Sequence, residues 1–229
     1  MNRRTRAARW LPLAGTSAVL LTWGNVVVPA LPSAPGVRTA VNLAASLALV
    51  LVARAGGLSW DELGLGPRTR RAGALWGGAA FATVATCYAV ALALPGLRTS
   101  LDDPRVGSMT AEEIAVRVLV LIPLGTVLSE EVAFRGVLSA LASRVLPAGR
   151  ALIVTSTVFG LWHLASARPP GGADLLPGAP VLIGTVVVTG AGGLLFGWLR
   201  QRSGSLLAPV GAHLGSNSLG LLASAAASH

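Results

Sequence analysis

The chain has 229 residues, of which 53% are hydrophobic and only 12% charged, and its mean hydropathy is +0.68. Soluble domains carry about 25% charged residues, so this composition excludes an ordinary soluble enzyme and a disordered tail and makes lipid the main solvent. The net charge of +9 comes from 18 basic residues, all arginine, against 9 acidic ones; they flank apolar runs instead of forming one patch, which fits anionic headgroups and argues against nucleic acid as a partner.

In chain order, seven apolar segments stand between charged or Pro/Gly-rich borders: residues 10–31, 39–53, 72–97, 114–141, 151–167, 181–199 and 206–227. About 20 apolar residues cross a ~30 Å hydrocarbon layer as a helix; 39–53 and 151–167 are short for this. An open sheet would leave backbone groups unpaired in lipid, and alternating strands are absent, so the expected fold class is all-α, a polytopic transmembrane bundle of about seven spans. The first segment follows Arg3, Arg4, Arg6 and Arg9, as in a secretory signal, with small residues near Ala34. It exceeds a signal core of ~7 to 15 residues and is expected to remain as an anchor helix. A cytoplasmic amino terminus puts thirteen arginines inside and five outside (Arg38, Arg98, Arg105, Arg117 and Arg168), the bias expected of a plasma-membrane protein with its carboxyl terminus outside.

Two capping boxes set helix starts: Ser59 with Glu62, and Thr110 with Glu113. The first is expected to open a short amphipathic helix at the interface, anchored by Trp60, and the second to start the fourth span near Ala111. Cys87 stands alone in an apolar run, without a disulfide partner or metal-site spacing. The whole chain, 1–229, reads as one integral-membrane domain, with 1–109 as scaffold and 110–229 carrying the chemistry.

Charge at the centre of a membrane helix costs about 2.5 to 3.5 kcal/mol, so such residues are functional candidates. The dense case is Ser129-Glu130-Glu131-Val132-Ala133-Phe134-Arg135. Glu131 and Arg135 share a helix face and can pair, which lowers the desolvation cost of both. Glu130 points ~100° away; a carboxylate on a small polar cavity, without a cation, can serve as a general base. Phe159 and His163 share a face of the fifth segment, and His213 and Asn217 a face of the seventh. The same residues also fit a blander reading, a solvated edge of a shorter span with two packing histidines. Pro123 and Gly125 are expected to kink the fourth helix. The pairs Gly193/Gly197 and Gly211/Gly215 should permit close helix approach, with Trp162 a wall or interface residue and Ser216 a packing one.

Glu130-Glu131-x-x-x-Arg135, Phe159-x-x-x-His163 and His213-x-x-x-Asn217, with Gly204-Ser205-Leu206 before the last, resemble the CAAX-protease and bacteriocin-processing (CPBP, or Abi) family of intramembrane proteases. The resemblance implies a bundle with a conical polar cavity in the membrane, lined by the fourth, fifth and seventh helices. It implies that Glu130 and His163 activate a water for attack on a peptide carbonyl and that His213 and Asn217 donate to the oxyanion. Glu131, Arg135 and Phe159 would give structural support. The implied partners are membrane lipids and a membrane-associated or carboxyl-terminal peptide substrate, with its prenylation left open.

No cofactor is expected. A zinc-dependent version would use Glu130, His163 and His213, but Asn is a poor zinc ligand and the His-Glu-x-x-His motif is missing. An aspartyl dyad is disfavoured because Asp61, Asp102, Asp103 and Asp174 all fall in connections, and no Gly-x-Ser-x-Gly turn occurs. Two non-proteolytic alternatives remain: a membrane binding or immunity protein that keeps the polar cluster, and a small transporter using Glu130 as a proton relay.

Overall fold

The computed structural model describes residues 3–167 and 178–228, and their regular structure is helical. Arg168, Asp174 and His229 lie outside the described residues. The main helical segments are α1 (3–30), α2 (Pro35–Ala55), α3 (Arg70–Ala93), α4 (111–143), α5 (Ala148–Trp162), α6 (Ala179–Ser203) and α7 (207–227). They coincide with the seven apolar runs. Four helices, Ala8–Ala30, Gly36–Ala55, Pro67–Ala93 and Ala179–Ser203, are long and apolar enough to cross a bilayer. With 15 residues, α5 is only about 22 Å long at 1.5 Å per residue, so it stops short of a full crossing.

The ends are set by local chemistry. Pro35 and Pro180 open α2 and α6 in the first turn, where a missing N–H costs nothing. Thr110 and Glu113 form the reciprocal capping box that starts α4, and Gly204, at φ +69, ends α6 in the left-handed conformation that favours glycine.

Hydrogen bonds between connections sort the loops into two groups, as up-and-down threading requires. At one end Arg144 donates to Glu62 (2.8 and 3.0 Å) and to the Gly57 carbonyl. Arg200 donates to the Glu62 carbonyl (2.8 Å), and the Leu206 N–H to the Gly64 carbonyl (2.9 Å). At the other, Arg98 donates to the Ala226 carbonyl (2.9 Å) and Ser228 to Asp102 (2.7 Å). Arg54, Arg144 and Arg200 thus share one end, opposite Arg98.

Residues 59–65 correct one expectation. The Ser59/Glu62 box forms (2.7 and 3.1 Å), but it closes a single turn and not an amphipathic helix, because Gly64 at φ +75 reverses the chain. Leu58 and Leu63 are buried while Trp60 is exposed beside Arg54, so the turn plugs into the bundle. The Arg144 guanidinium and the Ser59 N–H hold the Glu62 carboxyl at about 2, down from its ordinary 4.5. A depressed carboxyl stabilises the fold above pH 4.5 and loses that contribution as the pH falls through about 2. Glu62→Gln should therefore remove part of the acid dependence of melting between those values. At neutral pH it should cost no more than about 1 kcal/mol, since the pair is half-exposed. Thermal melts in detergent from pH 2 to 7 check this.

Glycines let backbones meet where expected. A Cβ on Gly211 would strike the Gly77 carbonyl, so α3 and α7 cross at bare backbone; Gly193 lies against Ser156 and Phe159 where α6 crosses α5. Around Pro123 and Gly125 the helix α4 widens: Arg117–Leu128 and Glu131–Leu138 are π-helical, the form that recurs at functional sites. Pro123 has no N–H to give, and the loosened carbonyls find other donors. Ser129 Oγ reaches the Leu124 carbonyl and Ser139 Oγ that of Phe134, each five residues back. From α2, Asn42 donates to the Gly125 carbonyl (3.0 Å) and Ser46 to that of Ser129 (3.3 Å).

Candidate active site

The second widened stretch of α4 is buried along its whole length. Arg135 donates from Nη1 to Glu131 Oε1 at 3.1 Å, with both side chains out of contact with solvent. Its guanidinium lies 4.0 Å over the Phe159 ring and 5.1 Å from that of Phe196, a stacked setting that suits a desolvated arginine. The expected ion pair is present, and it has a third member. His213 Nδ1 lies 2.8 Å from the same Oε1 of Glu131, and its ring stacks on Phe196 at 4.8 Å.

A carboxylate only accepts, so Nδ1 of His213 carries the proton and Nε2 of the neutral ring is an acceptor. Asn217 Nδ2 sits 3.2 Å from it and donates. The Ser216 hydroxyl has one proton for two acceptors, the His213 carbonyl at 3.0 Å and Asn217 Oδ1 at 3.3 Å. The spacing of His213 and Asn217 on α7 is borne out, and the line they form continues through Glu131 to Arg135. The 82-residue separation of Glu131 and His213 left no local signal of their contact.

The other carboxylate stands apart. Glu130 Oε2 is buried, has no hydrogen-bond partner among protein groups, and lies 3.9 Å from His163 Nε2. His163 Nδ1 is 2.8 Å from the Phe159 carbonyl, which only accepts, so Nδ1 carries a proton and Nε2 is the nitrogen that faces Glu130. Phe159 thus orients His163 twice, by its carbonyl and by a ring edge at 4.7 Å. The same ring lies 6.4 Å from His213, which brings both histidines around one aromatic.

His163 is not inside the fifth helix, as its spacing implied, but one residue past its end. α5 stops at Trp162, His163 is its cap at φ −90 and ψ 4, and Leu164–Ala167 continue as a 3₁₀ turn. The physical reason is that side chains take the last carbonyls: His163 that of Phe159, and Asn25 of α1 that of Leu161.

A cavity of about 1040 Å³ runs from Arg9 and Arg144 to Glu130. Its walls come from α1, α2 and α4, with Trp162 at its inner end, where the resemblance implied α4, α5 and α7. The lining is largely apolar, and Thr16, Asn42, Ser46, Ser129 and Glu130 are polar residues of its inner part. Neither His163 nor His213 lines it, and His163 Nε2 lies 3.9 Å from the lining residue Glu130. The wall role expected for Trp162 is met, since its ring also packs on Phe134 at 5.3 Å.

Zinc does not fit the residues present. Of the three ligands it would need, His213 has Nδ1 committed to Glu131 and Nε2 to Asn217. Among the described residues no three His, Cys, Asp or Glu side chains gather into a set fit to hold a metal ion.

Residues 111–219 match the family model described as Type II CAAX prenyl endopeptidase Rce1-like. No curated protein and no solved structure matches the chain. The matched stretch runs from the first turn of α4 into α7 and contains every residue of the two carboxylate–histidine groups. Three short motifs thus extend to a domain-length match in an all-helical membrane bundle: residues 111–219 carry an Rce1-like type II CAAX prenyl endopeptidase domain, which makes the protein an integral-membrane protease, a hydrolase with a peptide or protein substrate.

Proposed function

We propose that Glu130 and His163 activate a water molecule for attack on a peptide carbonyl at membrane depth, without a metal. The observation that carries this reading is the unpartnered Glu130 Oε2, facing Nε2 of His163 across 3.9 Å at the inner end of the cavity. Two acceptors at that separation suit one water that donates to both. As its oxygen bonds to the carbonyl carbon, its proton passes to the Glu130/His163 couple. The couple then gives a proton to the leaving amine when the C–N bond breaks.

Asn217 supplies the oxyanion donor. One of its N–H groups bonds to His213 Nε2, and the other is free to meet the developing charge. His213 orients that amide. Glu131 and Arg135 keep this arm rigid, in line with the supporting role that the resemblance implies.

The substrate is a membrane-associated or carboxyl-terminal peptide, and the apolar cavity ending at Glu130 suits an apolar anchor beside the scissile bond. The arginine-rich end that holds Arg54, Arg144 and Arg200 supports a cytoplasmic placement for that face, and with it for the amino terminus, in the plasma membrane.

The test is hydrolysis of a farnesylated CAAX-type peptide, and of the same peptide without the lipid, by the protein in liposomes. His163→Ala and His213→Ala should each lower the rate by at least about a hundredfold. Asn217→Ala should lower it by about 10² to 10³. His163→Ala and Asn217→Ala should melt near the parent temperature, and His213→Ala below it, because it empties a buried site and takes a donor from Glu131. Chelators should leave the rate unchanged; inactivation by a chelator, reversed by zinc, would overturn the metal-free reading.

A further inference from the structure

We propose that Asn25, on the amino-terminal helix and outside the matched domain, is a positioning residue for His163. This rests on the proposed catalytic role of that imidazole. α5 ends at membrane depth, where free carbonyl and N–H groups find no water and must be satisfied within the protein. Asn25 satisfies one group on each side of the turn. Its Nδ2 donates to the Leu161 carbonyl at 3.0 Å, and its Oδ1 accepts from the Ala165 N–H at 2.9 Å. Leu161 and Ala165 lie two residues before and two after His163, so a single amide clamps both flanks of the residue that faces Glu130.

The orientation of that amide is settled by its surroundings. Nδ2 also donates to the Leu21 carbonyl at 3.0 Å. Turning the group over would set its oxygen against two carbonyls and its NH2 against an N–H. The helix carrying Asn25 is shaped for this contact. Trp23–Val27 is a π-helical bulge in α1, and a Cβ on Gly24 would fall 2.6 Å from the Trp162 ring and 2.8 Å from its carbonyl oxygen. Glycine therefore lets α1 approach α5 closely enough for Asn25 to reach past it.

The remaining hydrogen bonds of His163 are local. Nδ1 is fixed by the Phe159 carbonyl, and its own carbonyl accepts from Ser166. These set the ring relative to its own turn, and Asn25 sets that turn relative to the bundle. Misplacing a reacting group by about 1 Å can cost about a hundredfold in rate.

The experiment compares Asn25→Leu, close in shape but without polar groups, with the parent protein in liposomes. Ser17→Ala, which removes a hydrogen bond within α1, serves as the control. Asn25→Leu should lower kcat by about ten- to a hundredfold with KM within about twofold, and Ser17→Ala should leave both unchanged. Amide hydrogen exchange across 163–166 should speed up at least about tenfold in Asn25→Leu alone. If Asn25→Leu does not fold, Asn25→Ala takes its place, with the same signs expected. Unchanged kcat, or a loss borne by KM alone, overturns the proposal even if exchange rises. If the parent cleaves nothing, the proteolytic reading falls and the positioning role falls with it, while faster exchange would still identify the clamp.

Discussion

Glu130→Gln should abolish hydrolysis, by about a thousandfold or more, and leave the melting temperature within a few degrees of the parent. The substitution keeps size and shape and removes only the ability to take a proton. General-base contributions run from about 10² to 10⁴, and a thousandfold corresponds to about 4 kcal/mol of transition-state stabilisation. The small effect on folding follows from what Glu130 does not do. Its side chain is 12% exposed and comes no closer than 3.9 Å to a basic group, and its Oε2 accepts no hydrogen bond from the protein. No internal ion pair is broken, and an amide is easier to bury than a carboxylate. Rates in liposomes and melting in detergent check the two halves separately. A Glu130→Gln protein that cleaves at the parent rate would remove Glu130 as the base.

The division between the two adjacent carboxylates was half legible in the chain. The spacing of Glu131 and Arg135 is a local fact of helical geometry, and their ion pair followed from it. So did the pairing of His213 with Asn217, and the division into seven helices, which rests on apolar runs and their borders. Three features were hidden, each for a physical reason. The widening of α4 needs donors from α2, such as Asn42 to the Gly125 carbonyl, that local spacing does not reveal. The bond from His213 to Glu131 joins helices that only the packed bundle brings together. The end of α5 at Trp162 depends on Asn25, 136 residues before Leu161. Asn25, the one amide in the first span, was the available signal, since an amide is costly in lipid unless it has partners. The apolar lining of the cavity was likewise out of reach, because it comes from α1 and α2, whose sequences carry hydropathy and no motif.

Glu131→Gln should act in the opposite sense to Glu130→Gln, lowering stability first and activity as a consequence. Removing one member of a buried ion pair leaves the other charged in a low-dielectric setting, which costs about 3 to 5 kcal/mol. Arg135 is 2% exposed, its Nη2 already lacks a partner, and it is walled by Phe159 and Phe196. It cannot turn to solvent when Glu131 loses its charge. His213 loses its anionic partner in the same step, and with it the force that fixes its tautomer and the Asn217 amide beyond it. The double variant Glu131→Gln/Arg135→Met separates these effects. Replacing a broken buried pair by a neutral, packable side chain recovers much of the lost stability, so the melting temperature should rise back toward the parent. The rate should stay low, by about tenfold or more, because no anion faces His213 Nδ1. Recovery of both stability and rate would show that Glu131 serves Arg135 alone. Recovery of stability without rate assigns it to the oxyanion arm as well.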